Sequence, residues 1–301
     1  STTYPGTTEE VFIPLLEADG PLRAGRHFFV GYSPERIDPG NHTWKLHNTP
    51  KIVSGVNDKS RRMVANFYSQ LVDRVVPVTG LREAELAKLL ENSFRHLNIS
   101  FVNELSIYCH MLGIDVWEVI DAASTKPFGF MRFEPGPGIG GHCLPIDPSY
   151  LSWQVRRSLR RSFRLIDTAN DVNNYMPEYV VERAIAYLNQ KEKAINGSKL
   201  LLVGLTYKQN SSDIRESAAI AIADSLTKLG AHVQAIDPLI DPEQVPIGVE
   251  LILGTAEQFR AADLVMVLTD HDKVEWSLLE LDPHKVFDTR RRLRHPAVNH
   301  L

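Results

Sequence analysis

The stretch KLLLVGLTYKQNSSDIRESAAIAIADSLTKLGAHVQAID, residues 199–237, decides the class of fold. Its apolar run at 199–205 predicts a buried strand, and residues 216–230 have the spacing of a helix that Gly230 closes. Residues 232–237 return to the pattern of a strand. A strand, a helix and a second strand in this order are typical of a parallel α/β unit. The sequence therefore predicts a Rossmann-like sheet in the C-terminal third of the chain.

The same alternation continues toward the C-terminus. Helical spacing predicts short helices at 256–262 and 275–281, and apolar runs predict strands at 263–269 and 285–288. These elements extend the predicted sheet to the end of the chain.

The first eighty residues contain a shorter α/β pattern. Strands are predicted at 28–31, 51–56 and 74–78, and a helix at 58–71 with Asp58 as a candidate N-cap. These strands are too few to close an α/β domain. The chain also begins without Met and on a turn, so we expect a truncated or processed chain.

The middle of the sequence is helical. Apolar residues recur every three or four positions from Leu81 until Gly113 ends the pattern, and a second helix is predicted near 115–123. A long helical pattern covers 148–190, with a break expected at 173–177 because proline cannot continue the hydrogen-bond ladder of a helix. We therefore predict three domains, at 1–79, 80–195 and 196–301.

The composition is that of an ordinary globular protein, with 43% hydrophobic and 23% charged residues among 301. The net charge of −4 gives no electrostatic reason to expect nucleic acid as a partner. No apolar run approaches the roughly 18 residues of a membrane span, and the opening residues lack the pattern of a signal peptide. The two cysteines favour a reducing compartment, so we expect a cytoplasmic protein. No metal site is predicted.

A glycine-rich loop, residues 136–141, has the letters of a dinucleotide-binding fingerprint but not its context. That fingerprint follows a buried strand and opens a helix. Residues 126–137 do not form a strand pattern, and the His-Cys-Leu-Pro that follows is not expected to begin a helix. We expect the loop instead to let backbone and substrate approach a thiol closely.

That thiol belongs to Cys143. Asp147 and Pro148 suit the N-cap and first position of a following helix, which places Cys143 one short turn before a helix N-terminus. The field of the helix should lower the pKa of the thiol there. A small buried hydrophobic residue is the alternative interpretation. Cys109 lies in the middle of a helix within an apolar stripe, and for it that interpretation holds.

Lys88 and Asn92 are four residues apart on the predicted long helix and therefore share one face. This pair is a second candidate for site chemistry. A solvated helix face would explain the two residues equally well.

Several segments together resemble the UDP-glucose/GDP-mannose dehydrogenase family, nearest its UDP-N-acetylhexosamine 6-dehydrogenases, over essentially the whole chain. The thiol segment is the most specific of them. The segments are STTYPGTT (1–8), YSPERIDPGN (32–41), AKLLENSFRHLNISFVNEL (87–105), TKPFGFMRFEPGPGIGGHCLPIDPSYL (125–151), LLVGLTYKQNSSDIRESAA (201–219) and DTR (288–290). The resemblance implies an α/β fold with the remnant of an N-terminal Rossmann NAD domain, a central helical domain and a C-terminal Rossmann-like UDP-binding domain.

The resemblance also implies roles for single residues. Cys143 becomes the nucleophile, and Lys88 with Asn92 the donors that stabilise an oxyanion. Asp147 helps to organise water, although it could equally be only a helix cap. The remaining catalytic candidates are Glu35, which acts in thioester hydrolysis, and Thr2, which helps to hold a catalytic water.

Binding residues are implied in the same way. We assign substrate binding to Gly140, Lys208, Arg215 and Arg290, and cofactor binding to Thr2, Glu35, Cys143 and Arg215. Arg215 with Asp213 could instead simply cap the helix near Glu216. The sequence departs from the family in two respects: Pro39 stands where some members carry a second glutamate, and the family's opening βαβ unit is expected to precede Ser1.

The implied reaction is the NAD-dependent oxidation of the C6 alcohol of a UDP-N-acetylhexosamine to the uronic acid, in a homodimer that serves polysaccharide biosynthesis. One alternative is a truncated, inactive protein that binds a UDP-sugar. Another is a thiol hydrolase that uses Cys143 with His142, although adjacent residues seldom form a nucleophile–base pair. Sequence does not decide which N-acetylhexosamine is used.

Overall fold

The computed structural model describes residues 2–38, 41, 43–141 and 143–301, and for Cys143 it describes the backbone alone. Two compact units are present. Unit 1 contains residues 1–95 and 146–167, and unit 2 contains residues 96–145 and 168–301. The expected departure from the family at Pro39 and the candidate base His142 lie outside the described residues.

Unit 1 is built around a small parallel sheet. Strands β1 (Lys51–Val53) and β2 (Val75–Pro77) pair in parallel and are joined by helix α2 (Asp58–Tyr68). The N-cap of α2 is Asn57, whose side chain accepts a hydrogen bond from the Ser60 N–H. The prediction of Asp58 as the cap was wrong by one residue.

The predicted strand at 28–31 does not form. Phe28 makes a single isolated bridge with Ala24, and the Val30 carbonyl accepts one hydrogen bond from the Val56 N–H. A methyl group on Gly31 would lie 2.4 Å from the Ser54 carbonyl oxygen. The segment therefore lies closely against the end of β1 without forming a regular ladder.

Residues near the N-terminus form helices that the sequence analysis missed. A π-helix at Thr8–Phe12 continues into α1 (Ile13–Glu17), with Pro14 in its first turn. Proline is tolerated there because the backbone N–H of the first turn has no partner within the helix.

Four longer helices form the middle of the chain: α3 (Leu81–Leu112), α4 (Val116–Ser124), α5 (Cys143–Leu159) and α6 (Arg164–Gln190). The side chain of Asp115 caps α4 by accepting the N–H groups of its first turn. The first two helices confirm the predicted pattern, including the end of α3 before Gly113.

The last two helices correct the sequence analysis. The break falls at residues 160–163 rather than at 173–177, and α6 continues through Pro177. Residues on both sides of that proline, Met176 and Val180, are completely buried, so packing outweighs the lost backbone hydrogen bond. Helix α5 begins at Cys143, and Asp147 is inside it rather than at its N-cap.

Unit 2 contains a parallel sheet of six strands. Its order is β5-β4-β3-β6-β7-β8, which is the 3-2-1-4-5-6 order of a Rossmann fold when counted from β3. The strands are β3 (Lys199–Val203), β4 (His232–Ile236), β5 (Val249–Leu251), β6 (Leu264–Val267), β7 (Val286–Asp288) and β8 (Asn299–His300). Strands β5 and β8 were not predicted.

Both faces of this sheet are covered. Leu200 and Leu202 of β3 pack in one core with α6 and with α7 (Ala218–Lys228). Leu201 and Val203 face the opposite core, which includes residues of α8 (Ala256–Ala261) and of a 3₁₀ helix at Trp276–Leu281. Burial on both faces explains why β3 is a continuous apolar run. Within the described ranges, every helix is too short or too polar to cross a lipid bilayer.

Candidate active site

Unit 1 brings together two of the predicted catalytic residues. Asn92 lies on α3, and Asp147 lies on α5 one turn after Cys143. The Asn92 amide donates a hydrogen bond to the Asp147 carboxylate, and both side chains are buried. Asp147 therefore holds a helix side chain in place, which is more than the capping role left open by the sequence.

Lys88 lies one turn before Asn92 on α3 and is half-buried. Among the described residues, no carboxylate forms an ion pair with its ammonium group. A half-buried cation without a counter-ion favours a negatively charged oxygen nearby. The side-chain amide of Asn92 and the ammonium of Lys88 have the chemistry expected of oxyanion donors.

The predicted glutamate lies on a loop without regular structure, residues 33–37, which we call the glutamate loop. Glu35 Oε1 accepts the N–H groups of Arg36 and Ile37, each at 2.8 Å. Glu35 Oε2 lies 3.2 Å from the ammonium of Lys51. Burial opposes ionisation of Glu35, but these hydrogen bonds and the Lys51 charge outweigh it, so the pKa of Glu35 is below its usual value.

The glutamate loop is anchored to α3. Arg36 forms a two-pronged ion pair with Glu91, with Nη2 at 2.6 Å and Nε at 3.1 Å from its carboxylate oxygens. Arg36 Nη1 also donates to the Pro50 carbonyl at 2.7 Å. Since Glu91 directly precedes Asn92 on α3, the loop that carries Glu35 is fixed to the helix that carries Asn92.

Thr2 is half-buried in unit 1, and the segment that follows it is held by a buried carboxylate. Glu85 of α3 is completely buried and accepts the N–H groups of Gly6 and Thr8 at 2.6 and 2.9 Å. The Thr8 hydroxyl adds a third hydrogen bond at 2.7 Å. The sequence analysis did not single out Glu85, because a glutamate in an amphipathic helix is usually solvated.

Cys143 is the first residue of α5. A helix N-terminus favours an anion, which is the setting in which the sequence analysis expects a reactive thiol. The Cys143 side chain lies outside the described part of the chain, and its role stays a prediction. Cys109 is buried with Trp117 and Ile120, and burial first, then the Asp115 charge, raises the pKa of its thiol.

The glycine loop lies in unit 2, and the predicted substrate residues surround it. A methyl group on Gly140 would lie 2.7 Å from the Glu216 carbonyl oxygen. The Gly141 N–H donates to the Arg215 carbonyl at 3.1 Å. Arg290 Nη1 would lie 2.6 Å from a methyl group on Gly136. The glycines therefore allow the loop to contact its neighbours in unit 2, and a helix does begin directly after it.

The charged groups around the glycine loop differ in their exposure and in their hydrogen-bond partners. Arg290 Nε donates to the Leu268 carbonyl at 2.8 Å, which fixes the guanidinium beside the glycine loop. The exposed Arg215 side chain pairs with Asp213, with Nη2 at 2.6 Å from Oδ2, rather than capping a helix. Lys208 is half-buried, and its carbonyl accepts the Thr206 hydroxyl at 3.1 Å.

Buried amides hold the start of the glycine loop. Asn103 of α3 accepts the Gly136 N–H at 2.9 Å and donates to Asn173 of α6 at 2.9 Å. Asn173 in turn donates to the Ala169 carbonyl at 3.0 Å. Sequence reasoning missed this network, because an asparagine in a helical pattern carries no sign of its partner.

A second missed pair lies at the carboxyl edge of the large sheet. Asp237 follows β4, His271 follows β6, and the two buried side chains are 3.1 Å apart. Asp237 also accepts the Leu205 and Leu239 N–H groups at 2.7 and 2.9 Å. Burial opposes ionisation of Asp237, but His271 and these N–H groups outweigh it and hold the pKa of Asp237 below its usual value.

Comparison with known proteins agrees with this organisation. Sequence models of the UDP-glucose/GDP-mannose dehydrogenase family match three segments: the NAD binding domain at residues 1–72, the central domain at 82–175 and the UDP binding domain at 201–295. The protein CapL of Staphylococcus aureus is 33% identical over 99% of this chain and 71% of its own length.

Two further relatives are named for their substrates. The UDP-N-acetyl-D-glucosamine 6-dehydrogenase of Pseudomonas aeruginosa is 36% identical over 81% of this chain, which spans only 57% of that enzyme. The solved structure of the UDP-D-ManNAc dehydrogenase of Pyrococcus horikoshii superposes with a TM-score of 0.85 at 30% identity, over all of this chain and 70% of that one. With an NAD-binding, a central helical and a UDP-binding domain, the chain belongs to the UDP-glucose/GDP-mannose dehydrogenase family.

Proposed function

We propose that this chain acts as an NAD-dependent 6-dehydrogenase of a UDP-N-acetylhexosamine and works through a thioester on Cys143. The observation that carries the proposal is the arrangement of Lys88, which pairs with no carboxylate of the described residues, beside Asn92, whose amide is bound to the buried Asp147. These residues lie in unit 1, and Asp147 lies one turn after Cys143. The names of the relatives from Pseudomonas aeruginosa and Pyrococcus horikoshii support the substrate class.

The residues of unit 1 suit a nicotinamide cofactor. Glu35 offers an ionised oxygen with capacity left to accept a hydrogen bond, and Thr2 offers a hydroxyl, which match amide and hydroxyl groups of NAD. When bound, NAD supplies the hydride acceptor for each of the two oxidation steps. Cys143 and Arg215 remain in the proposed cofactor-binding set on the family resemblance.

Lys88 and Asn92 act where negative charge develops on the substrate. Loss of the C6 hydroxyl proton gives an alkoxide, which would become an aldehyde as a hydride leaves C6 for the cofactor. Addition of the Cys143 thiolate to the aldehyde carbon gives a tetrahedral oxyanion, and loss of a second hydride from C6 would leave the thioester. The Lys88 ammonium and the Asn92 amide donate to these oxygens. One such donor contributes about 3–4 kcal/mol to lowering a barrier of this kind. Asp147 keeps the amide oriented, so its effect on this step passes through Asn92.

Glu35 acts on the water that cleaves the thioester. An ionised carboxylate accepts a proton from water as the new C–O bond forms and the Cys143 thiolate leaves. Since its pKa is lowered, Glu35 is charged at neutral pH and can accept a hydrogen bond from this water before it takes the proton.

The residues around the glycine loop are proposed to bind the nucleotide. Arg290 presents a fixed guanidinium, and Arg215 is exposed and forms an ion pair with Asp213. A guanidinium suits a diphosphate because it donates two parallel hydrogen bonds. Gly140, and Lys208 on the facing loop, complete the proposed substrate set.

We also propose that the chain assembles as a homodimer through its long helices. Helix α3 exposes a row of apolar side chains, among them Leu90, Phe101, Tyr108 and Leu112. Their spacing of 11, 7 and 4 residues keeps them on one face of the helix. Exposed apolar rows of this length usually mark interfaces. The predicted domain boundaries and the cytoplasmic location remain predictions.

The decisive experiment follows NADH absorbance after NAD⁺ and each of three substrates, UDP-GlcNAc, UDP-GalNAc and UDP-ManNAc, are added to the chain. We expect NADH with at least one of them. The Cys109→Ser variant should retain this activity. In the Cys143→Ser variant the reaction should stop before a thioester forms. Binding of UDP-sugar without any NADH would refute the proposed activity and favour the inactive UDP-sugar-binding alternative.

A further inference from the structure

Lys51 is an unusually buried lysine in unit 1. It is the first residue of β1, and only 6% of its surface is exposed. An ammonium group costs considerable free energy to bury unless oxygen atoms or an aromatic face replace its water. The groups that surround the Lys51 ammonium therefore show what stabilises its charge.

The replacement for water comes mainly from the glutamate loop. Lys51 Nζ donates to the Pro34 carbonyl at 3.0 Å and to Glu35 Oε2 at 3.2 Å. The ring of Tyr68 covers the ammonium at 5.4 Å from its centroid, within the range of a cation–π contact. Two consecutive residues of the loop are thus tied to one buried cation.

The carboxylate of Glu35 is consequently held at both oxygens. Oε1 accepts hydrogen bonds from the N–H groups of Arg36 and Ile37, and Oε2 accepts one from the Lys51 ammonium. A carboxylate has about four acceptor positions, so three are filled. The one that remains belongs to Oε2, and half of the side-chain surface of Glu35 faces solvent. This open position is suited to a water molecule.

The cation next to Glu35 on the glutamate loop is engaged elsewhere. The guanidinium of Arg36 is occupied by Glu91 of α3 and by the Pro50 carbonyl. Lys51 on β1 is thus the cation that contacts the Glu35 carboxylate, and Tyr68 on α2 contributes only its ring face. Removing Lys51 would leave the carboxylate to the two backbone N–H groups.

We propose that Lys51 is a positioning residue that fixes the Glu35 carboxylate with one oxygen directed toward the water that cleaves the thioester. The catalytic use of this contact rests on the proposed function, whereas the contact itself does not. Burial opposes ionisation of this half-exposed glutamate, and Lys51 joins the Ile37 and Arg36 N–H groups in keeping its pKa below the usual value.

The test is an NMR titration of the whole chain with isotope-labelled glutamate carboxyl groups, in which the Glu35 signal is assigned by its loss in Glu35→Gln. Lys51→Met should move the titration of Glu35 to higher pH. Lys59→Met is the matched control, because Lys59 is an exposed lysine of unit 1 that also lies over an aromatic ring, 5.3 Å from the centroid of Phe29. It should leave the titration of Glu35 unchanged.

A second measurement covers the case in which Lys51→Met fails to fold. Glu35→Gln removes the carboxylate that Lys51 Nζ contacts at 3.2 Å, so the NMR signal of the Lys51 ammonium should shift. Equal Glu35 midpoints in the two lysine variants, or an unchanged Lys51 ammonium signal in Glu35→Gln, would overturn the proposal. Neither measurement needs turnover, so the two proposals can fail separately. If Lys51 and Glu35 influence each other but the chain forms no NADH, the contact stands and only the proposed activity is refuted.

Discussion

Replacing Gly141 with alanine would test whether the glycine loop depends on close contact with its neighbours in unit 2. Gly141 has a φ of +86°, in the left-handed region that favours glycine. A methyl group there would lie 2.7, 2.9 and 3.0 Å from three carbons of the Tyr207 ring. The substitution therefore meets two separate obstacles, one in the backbone and one in the packing.

The two costs can be estimated and separated. Placing alanine in the left-handed region costs about 1–2 kcal/mol. Forcing a methyl group against a packed ring adds about 1–3 kcal/mol. Gly141→Ala should thus lower the free energy of unfolding by about 2–5 kcal/mol. Gly197 is a matched control in the same unit: its φ is +82°, and no atom lies within 4 Å of an added methyl group, so Gly197→Ala should show the backbone cost alone.

Urea unfolding, followed by circular dichroism and by tryptophan fluorescence, measures both variants. The packing cost should also disappear when Tyr207 is truncated, so Gly141→Ala combined with Tyr207→Ala should recover about 1–3 kcal/mol relative to the sum of the single changes. The reasoning fails if Gly141→Ala and Gly197→Ala unfold at the same urea concentration, because the close contact with Tyr207 would then have no energetic consequence.

Four further predictions follow from the structure. Iodoacetamide should modify Cys143 before the buried Cys109, whose raised pKa disfavours the thiolate; peptide mapping that finds Cys109 labelled first would contradict the assignment. The folded-state pKa of Asp237 is lowered, so its contribution to stability is present at neutral pH and is lost as the pH falls through that folded value. Asp237→Asn should lower stability at neutral pH and flatten the acid limb of the unfolding curve, and an unchanged acid limb would exclude this role. Calorimetry should show UDP and UDP-GlcNAc binding more tightly than NAD⁺, since the loop with the glycines of a dinucleotide fingerprint, residues 136–141, follows helix α4 and not a buried strand; tighter NAD⁺ binding would refute this. Light scattering should give a dimer at micromolar concentration and a monomer for Phe101→Asp, and a wild-type monomer would remove the proposed interface.

Sequence reasoning found the regular elements where one strong pattern decides the outcome. The strands at 199–205 and 263–269 are continuous apolar runs because both faces of the sheet are buried, and the same burial makes them easy to recognise. It failed where short elements have little pattern, as in β5 and β8 at the two edges of the sheet. Sequence reasoning also placed a helix break at 173–177. It counted the hydrogen bond that Pro177 removes but not the burial of the neighbouring side chains, which keeps α6 continuous.

The candidate site was predictable to a different degree. Lys88 and Asn92 could be paired from their spacing, since a helix places residues four apart on one face. The partners of the site were not predictable: Lys51 looks like an ordinary lysine at the start of a strand, and nothing in the sequence joins it to Glu35. Such contacts depend on how irregular loops fold back on regular elements, and a local pattern does not contain that information.

The polar residues of α3 show how those loops are fixed. Within unit 1, Glu85 holds the backbone at Gly6 and Thr8, and Glu91 holds Arg36 of the glutamate loop. Within unit 2, Asn103 holds Gly136 at the start of the glycine loop. The glutamate loop and the glycine loop lack the hydrogen bonds of a helix or sheet, and Gly6 and Thr8 stand at the start of a helix, where N–H groups have no partner within it. Side chains of α3 supply the missing partners.

This arrangement has an energetic consequence. A buried donor or acceptor that loses its partner costs about 1–3 kcal/mol, more than the net contribution of the bond that it made. The loops are therefore held less by the strength of each contact than by the cost of leaving it unmade. Because that cost applies at each end of the pair, side chains of one helix can keep the segment that carries Glu35 and the start of the glycine loop in defined positions without regular structure of their own.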